Sequence, residues 1–225
     1  MTGDLRTRLS ALDSCALSDA LDTLGLAGAV TGISGITLPD ATLLGRVRTV
    51  RATNRREGGP AAHIAAALVD DLQPGEVVVI ANDGRTDVSC WGGLLGAAAT
   101  RHGAAGVVVD GAFRDVQENA DLGLPVFARA AVAVSARGRI VQQSMDEPIV
   151  IAGVEVSSGD WVVADRSGLA FVSAADAERV VELAERIAAR EVDMLAAVHG
   201  DRTVAELMHD SRFPTAAAHL PEGTP

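Results

Sequence analysis

The residues from 92 to 115 include the side chains and turns best suited to chemistry. They begin with Gly92-Gly93-Leu94-Leu95, run through an alanine-rich segment and an apolar strand at 107–109, and end in DGAFRD. A glycine turn that opens a helix presents free backbone N–H groups, and these bind anions. An arginine holds a carboxylate through two parallel hydrogen bonds, and an aspartate holds a hard divalent cation. This segment therefore predicts a site for a metal ion and a small carboxylate substrate.

The adjacent pair Arg114 and Asp115 also has a purely structural interpretation. Asp115 could lie in the first turn of a helix with Arg114 in solvent, because short motifs of this kind recur by chance. The surroundings favour a site, since a predicted Asp110-Gly111 turn follows the apolar strand. Open α/β sheets bind ligands at the carboxyl ends of their strands.

The chain contains no lysine, so all 19 of its basic side chains are arginines. A carbon–carbon lyase that works through a Schiff base needs a lysine amine. Any such lyase built on this sequence must therefore use a metal ion as its electron sink.

Composition excludes several other classes of function. The net charge of −11 argues against a nucleic acid partner, which requires a basic face. No apolar run approaches the roughly 20 residues of a membrane span, and the first residues form no apolar signal segment. Cys15 and Cys90 form neither a disulfide framework nor a zinc motif, so we expect a cytoplasmic protein.

Hydrophobic periodicity predicts an α/β domain over residues 1–172. Apolar strands are expected at 44–53, 77–80 and 107–109, helices between them, further strands after residue 124, and a polar loop at 82–90. From Ser173, a predicted N-cap, a long helix should run to about residue 200 as part of a helical appendage at 173–213 that serves oligomerisation. Thr203 and Glu206 match a capping box for a last short helix. Residues 214–225 are expected to be a flexible tail.

Residues 107–129, VVVDGAFRDVQENADLGLPVFAR, resemble the signature of the RraA-like family. That family includes metal-dependent 4-hydroxy-4-methyl-2-oxoglutarate / 4-carboxy-4-hydroxy-2-oxoadipate aldolases and the ribonuclease E regulator RraA. SDALD at 18–22, Pro74-Gly75, WGGLL at 91–95 and GDWVVAD at 159–165 match the family in order. The resemblance implies a layered β/β/α swivelling-type domain with C-terminal helices. It also implies a homotrimer, or a hexamer of two trimers, with active sites between subunits.

The resemblance further implies roles for individual residues. Arg114 would bind the carboxylate and carbonyl oxygen of a pyruvyl group, and Asp115 would be the one side chain bound directly to Mg²⁺ or Mn²⁺. The turn that begins at Gly92 would hold the substrate carboxylate through the backbone N–H groups of Gly93, Leu94 and Leu95.

The same resemblance concerns two further positions that are acidic in the aldolases. Many aldolase members carry at position 93 an acidic residue that orients a metal-bound water, and this chain has Gly93 instead. A glutamate from the C-terminal helix of a neighbouring subunit also contacts metal-bound water in the aldolases. Glu191 is the candidate here, because it falls on the apolar stripe of the predicted long helix. The alternative is a charge at the edge of a solvated helix.

The function expected from these residues is retro-aldol cleavage of a 4-hydroxy-2-oxo acid to pyruvate and a carbonyl compound. The same enolate chemistry would permit decarboxylation of oxaloacetate. Two alternatives remain open at this point: a non-catalytic regulator that binds a protein partner, and a metal-dependent lyase or dehydratase with another substrate on the same scaffold.

Overall fold

A computed structural model of the protein describes residues 4–59, 62–200 and 203–207. The elements, in chain order, are α1 (Leu5–Leu9), α2 (Ser14–Thr23), β1 (Ala29–Val30), β2 (Ser34–Gly35), β3 (Leu43–Asn54), α3 (Ala66–Asp70), β4 (Glu76–Ser89), α4 (Gly93–Arg101), β5 (Gly106–Phe113), α5 (Val116–Asp121), β6 (Val126–Ala131), β7 (Ile140–Met145), β8 (Ile149–Ile151), β9 (Val154–Val156), β10 (Trp161–Ala164), β11 (Leu169–Val172), α6 (Ala177–Val198) and α7 (Val204–Leu207).

One large mixed sheet organises the chain. Its strand order is β1-β11-β10-β3-β4-β5-β6-β2, with β7 paired to β3 outside this path. The central strands β3, β4, β5 and β6 are parallel, and helices cross between them. Because parallel strands end at the same edge of a sheet, the segments after β4, β5 and β6 come together there.

Alternation along the strands gives the sheet two apolar faces. Val78 and Ile80 pack with α3, α4 and α5, whereas Val77 and Val79 pack against the hairpin of β8 and β9. Successive side chains of a strand point to opposite faces, so the hairpin and the helices cover different sides of the sheet. The architecture is therefore hairpin, sheet and helices, which confirms the predicted β/β/α layering.

The long helix α6 divides into a packed half and an exposed half. Val180, Leu183 and Ile187 are buried against α1, α2 and the antiparallel strands β10 and β11. Beyond them Val192 and Leu195 are more than 60% exposed. The first half of α6 therefore packs in one apolar cluster with β10 and β11.

Local geometry differs from the sequence-based expectations at three places. The strand expected at 107–109 continues as β5 through Asp110-Gly111 to Phe113, with every residue buried, so no turn forms there. The predicted loop at 82–90 is mostly the continuation of β4, which bulges between its pairings to β5. Asp176, not Ser173, is the N-cap residue of α6, because the helix begins at Ala177; Ser173 instead closes the turn before it, where its hydroxyl donates to Asp176 Oδ2 and accepts from the Asp176 N–H.

The capping box at the last described helix is confirmed. The Thr203 N–H donates to Glu206 Oε2 at 3.2 Å, and the Glu206 N–H donates to Thr203 Oγ1 at 3.3 Å. The tail expected at 214–225 lies outside the described residues. Within the part of the chain that the structure describes, no helix has both the length and the apolar character to cross a membrane.

Asp165 joins the end of β10 to the start of α2 and provides a test of the fold. Its carboxylate accepts from the Ser14 N–H at 2.7 Å, from the Ser14 hydroxyl at 2.8 Å and from the Ser167 N–H at 2.8 Å. Burial alone would raise the pKa of Asp165, but these hydrogen bonds outweigh it and lower the pKa. We expect Asp165→Ala to cost about 1–3 kcal/mol in the free energy of unfolding near pH 7, because it leaves the two donors of the buried Ser14 unpaired.

This contribution should depend on pH. A lowered pKa in the folded state stabilises the protein above the unfolded pKa of about 3.9, and the effect is lost as pH falls through the lower folded value. Urea unfolding of both proteins at several pH values measures the difference. Asp40→Ala is the control, since its ion pair with Arg166 is more than three-quarters exposed and should contribute little. Equal losses in the two variants at neutral pH would contradict the assignment.

Candidate functional site

The site begins where β5 ends, at Arg114 and Asp115. The Arg114 N–H donates to the Trp91 carbonyl at 3.0 Å, which fixes this exit beside the turn before α4. Asp115 then adopts the left-handed conformation, with φ 60° and ψ 47°, at the N-cap position of α5. Its side chain makes no capping bond to α5. The backbone of Asp115 therefore begins a helix, as the structural interpretation expects, but its carboxylate does not bond to that helix.

The Asp115 carboxylate reaches the first residue of α4. Asp115 Oδ2 accepts from the Gly93 N–H at 2.9 Å, and Arg114 Nε lies 3.1–3.2 Å from both carboxylate oxygens. Charge-assisted N–H···O bonds are usually 2.7–2.9 Å long, so the contact with Arg114 is a loose one. With side chains 41% and 25% exposed, this pair is worth no more than about 1 kcal/mol. A ligand can therefore replace it at little cost.

A buried amide that the sequence did not reveal as important holds this corner together. Asn119 is fully buried; its Nδ2 donates to the Asp115 carbonyl at 2.8 Å, and its Oδ1 accepts from Trp91 Nε1 at 3.1 Å. Asn119 thereby joins the backbone of Asp115 to Trp91, which lies just before α4. The available signal was the spacing of Asn119 four residues after Asp115 on a short helix, which is too common to stand out.

Glycines on α4 leave room for the side chains of α5. A Cβ on Gly92 would lie 2.8 Å from Asp115 Oδ2, and one on Gly96 would overlap Asn119 Oδ1. A Cβ on Gly93 would overlap the carboxylate of Glu118. The predicted glycine turn therefore permits the close approach of two helices, besides presenting its N–H groups.

An open cleft of about 430 Å³ lies over the pair, lined by Arg114, Asp115, Val116, Ala131, Val132 and Ala133. The Val132 N–H donates to the Phe113 carbonyl at 2.8 Å, which fixes this wall to the end of β5. No described residue bonds to the two terminal nitrogens of Arg114, so its fork is available to a ligand.

The N–H groups predicted to hold a carboxylate are not equivalent. That of Gly93 already donates to Asp115. Those of Leu94 and Leu95 lie in the first turn of α4, where helix geometry provides no acceptor. The Leu94 side chain is 87% exposed and forms an apolar edge beside this turn.

Glu191 is not brought to the pair within one chain. It is exposed on the second half of α6, at a cavity of about 320 Å³ that is also lined by Met194, Leu195, Val198, Val204 and Leu207. Glu191 can act at the Arg114–Asp115 cleft only if another subunit supplies it.

Other polar side chains near the end of the sheet have structural roles. Asp110 is 4% exposed; it accepts from Arg129 Nε at 2.5 Å and from the Ala152 N–H at 3.0 Å, and so pins β6 and the hairpin to β5. Arg85 holds Asp87 through two hydrogen bonds and lowers its pKa. Burial raises the pKa of the Cys90 thiol to about 12, which fits a packed, unreactive cysteine.

The described residues hold no group of three or more His, Cys, Asp or Glu side chains suited to a metal ion. A cation at this site would therefore rely on few protein ligands.

Comparison with known proteins identifies relatives of the whole domain. Residues 14–171 match the RraA-like family described as Aldolase/RraA. Protein DlpA of Legionella pneumophila is 30% identical over 207 residues, 92% of this chain but 34% of DlpA. A protein of Halalkalibacterium halodurans provisionally named 4-hydroxy-4-methyl-2-oxoglutarate aldolase is 28% identical over 81% of this chain and 83% of its own length. A protein of Albidiferax ferrireducens with the same provisional name is 42% identical over 99 residues, 44% of this chain and 57% of that protein.

Solved structures agree with these matches. An uncharacterized protein from Pseudomonas syringae superimposes with a TM-score of 0.81 at 28% identity, covering 93% of this chain and 98% of that one. RraAS2 of Streptomyces coelicolor, described as an unusual member of the RNase ES inhibitor RraA family, superimposes with a TM-score of 0.76 at 26% identity, covering 87% and 96%. The matches cover most of the chain in sequence and in fold, and the chain belongs to the RraA-like family.

Proposed function

We propose that the protein is a divalent-metal-dependent aldolase that cleaves a 4-hydroxy-2-oxo acid into pyruvate and a carbonyl compound. The main support for this proposal is that Arg114 and Asp115 line the same cleft. The terminal nitrogens of Arg114 bond to no described residue, and the Asp115 carboxylate faces the cleft beside them. An anion-binding group beside a cation ligand can stabilise the enolate that forms when a pyruvyl group is cleaved, and this favours an enzyme over a regulator that binds a protein partner. The provisional aldolase names of the relatives support the same class of reaction.

The residues of this chain would bind the substrate through its pyruvyl end. The fork of Arg114 would receive the carboxylate and the neighbouring 2-oxo oxygen. The free N–H groups of Leu94 and Leu95 would hold the other side of that carboxylate, with the partial positive charge of the α4 N-terminus behind them.

The reaction then breaks the C3–C4 bond. The 4-hydroxyl gives its proton to a base, its oxygen becomes the carbonyl of the departing product, and the bonding electrons pass to the pyruvyl fragment as an enolate. Arg114 would stabilise that negative charge at the 2-oxo oxygen, and protonation at C3 would release pyruvate. A substrate with a carboxylate in place of the C4 carbinol would lose carbon dioxide instead, as in oxaloacetate decarboxylation.

Mg²⁺ or Mn²⁺ held by Asp115 would supply Lewis-acid stabilisation of the developing charge. The residues present fit such an ion. A hard cation prefers carboxylate oxygens, and a side chain on Gly92 would fill the space beside Asp115 Oδ2. Since the chain has no lysine, it cannot form the alternative electron sink, an imine.

Removal of the cation provides the first test. We expect pyruvate release from a panel of 4-hydroxy-2-oxo acids and oxaloacetate to need added Mg²⁺ or Mn²⁺ and to survive borohydride treatment with substrate. Asp115→Asn should lower the metal-dependent rate at least about a thousandfold, because it removes the charge while asparagine still tolerates the left-handed backbone. The thermal midpoint controls for folding. Full activity after exhaustive chelation would rule out the metal mechanism.

Arg114 tests how the carboxylate is bound. Arg114→Lys should lose about a hundredfold or more in kcat/KM, nearly as much as Arg114→Ala, because lysine keeps the charge but lacks the bidentate fork. Arg137→Lys, on an exposed loop between β6 and β7, is the control and should be neutral. Recovery by Arg114→Lys to within a few-fold would show that charge alone is needed.

We further propose that the protein assembles as a homotrimer or a hexamer of two trimers, with Glu191 serving the cleft of a neighbouring subunit. The support is the exposed apolar end of α6, where Leu195 and Val198 flank the cavity beside Glu191. Such a surface is costly to leave in water.

The test combines light scattering with complementation. Inactive Asp115→Asn chains and inactive Glu191→Ala chains, mixed under subunit exchange, should recover part of the wild-type rate. Some interfaces would then combine an intact Asp115 with an intact Glu191. Glu182→Ala, an exposed glutamate in the packed half of α6, is the control and should be fully active alone. A monomeric mass, or no recovery despite exchange, would remove Glu191 from the site.

A further inference from the structure

A second carboxylate lies beside Asp115 in the same subunit. Glu118 is in the first turn of α5, three residues after Asp115. Its carboxylate occupies the space above Gly93 where a side chain would be. A Cβ built on Gly93 would overlap Glu118 Oε2 and would lie 2.9 Å from the Glu118 carboxyl carbon and 3.2 Å from its Cβ.

Both carboxylates therefore meet at one residue, Gly93. Asp115 Oδ2 accepts from its N–H at 2.9 Å, and Glu118 Oε2 lies over its Cα. With standard backbone dimensions, these contacts leave the two carboxylate oxygens no more than about 8 Å apart.

A hydrated divalent cation fits within this limit. A carboxylate oxygen bound directly to Mg²⁺ lies about 2.1 Å from it, a bound water lies equally far away on another side, and a hydrogen bond of about 2.7 Å extends from that water to a second carboxylate. The full reach is about 7 Å. One carboxylate can thus bind the ion while the other binds its water.

Glu118 has no other use for its charge within the described part of the chain. It is exposed and makes no hydrogen bond or ion pair there, whereas Asp121, one turn further on α5, accepts from Gln117 Nε2 at 2.7 Å. Two neighbouring carboxylates repel each other unless a cation lies between them. Attraction to the N-terminus of α4 is the structural alternative for Glu118, and the experiment below separates the two.

We infer that Glu118 is a positioning residue of the metal site: its carboxylate orients a water of the cation that Asp115 binds, and Gly93 is glycine because Glu118 occupies the space of its side chain. This inference rests on the proposed function.

The test is the affinity for Mn²⁺ in the absence of substrate, measured on the full chain by electron paramagnetic resonance and calorimetry. Glu118→Gln should raise the Kd for Mn²⁺ about tenfold or more, the usual effect of losing a group that orients a metal ligand. Asp121→Asn, the same loss of charge on the same helix, should change it less than twofold. Both side chains are exposed, so neither variant should shift the thermal midpoint.

Variants of Gly93 distinguish a positioning role of Glu118 from a purely structural one. Gly93→Ala should expel the Glu118 carboxylate and weaken Mn²⁺ binding as much as Glu118→Gln does, and the double variant should lose no more than either single one. The exchange Gly93→Asp with Glu118→Ala should recover most of the affinity, because it returns a carboxylate to the same space. A purely structural Glu118 predicts neither the shared loss nor the recovery.

The outcomes separate this inference from the proposed function. If Asp115→Asn binds Mn²⁺ as tightly as the wild type, the proposed metal site is wrong. If Asp115→Asn abolishes binding while Glu118→Gln stays within twofold of the wild type, the metal site stands and the role of Glu118 is refuted. Additive losses in the Gly93→Ala and Glu118→Gln double variant would also refute it.

Discussion

The site depends on how closely α4 can approach α5. Three glycines at the start of α4 face three polar side chains of the facing turn: Gly92 meets Asp115, Gly93 meets Glu118 and Gly96 meets Asn119. A side chain at Gly96 would overlap the buried amide of Asn119, and one at Gly92 would press on the Asp115 carboxylate, whereas one at Gly93 would displace the flexible end of Glu118. Gly92 and Gly96 therefore permit the approach that lets the Gly93 N–H bond to Asp115.

The same closeness explains why Asp115 tolerates a left-handed backbone. Such a conformation costs a non-glycine residue about 1–3 kcal/mol and persists only where the surroundings enforce it. Here Asn119 holds the carbonyl of Asp115, the Gly93 N–H holds its carboxylate, and the Trp91 carbonyl holds the preceding N–H. The sharp change of direction keeps the carboxylate off its own helix and turns it toward the neighbouring one.

The sequence predicted the parts of this site that are local in the chain. The glycine turn, the helix after it, the apolar strand and the Arg114–Asp115 pair could all be identified from neighbouring residues. What could not be predicted depends on contacts between distant segments. Asp110 looked like a turn residue because its partners, Arg129 and the Ala152 N–H, lie 19 and 42 positions away. Without knowledge of those partners, a carboxylate inside a strand appears unfavourable.

Glu118 and Asn119 show the same limit at the site itself. A glutamate and an asparagine in a short polar helix fit an exposed surface, and nothing in their spacing separates one from the other. In the structure Asn119 is fully buried and Glu118 is exposed, because only the former faces the indole nitrogen of Trp91. The packing of α4 decides which of two adjacent polar side chains becomes structural and which stays available to a ligand.

The loose contact between Arg114 and Asp115 suits a site that must exchange its partners. A tight, buried pair would resist opening, since each charge left alone would cost several kcal/mol. At 3.1–3.2 Å and partly exposed, this pair keeps the two charges aligned while leaving the Arg114 fork and one side of the Asp115 carboxylate accessible. Under the proposed function, the substrate carboxylate would bind Arg114 while the cation binds Asp115, so that neither side chain would be left without an opposite charge. Binding of substrate and cation would then be mutually dependent.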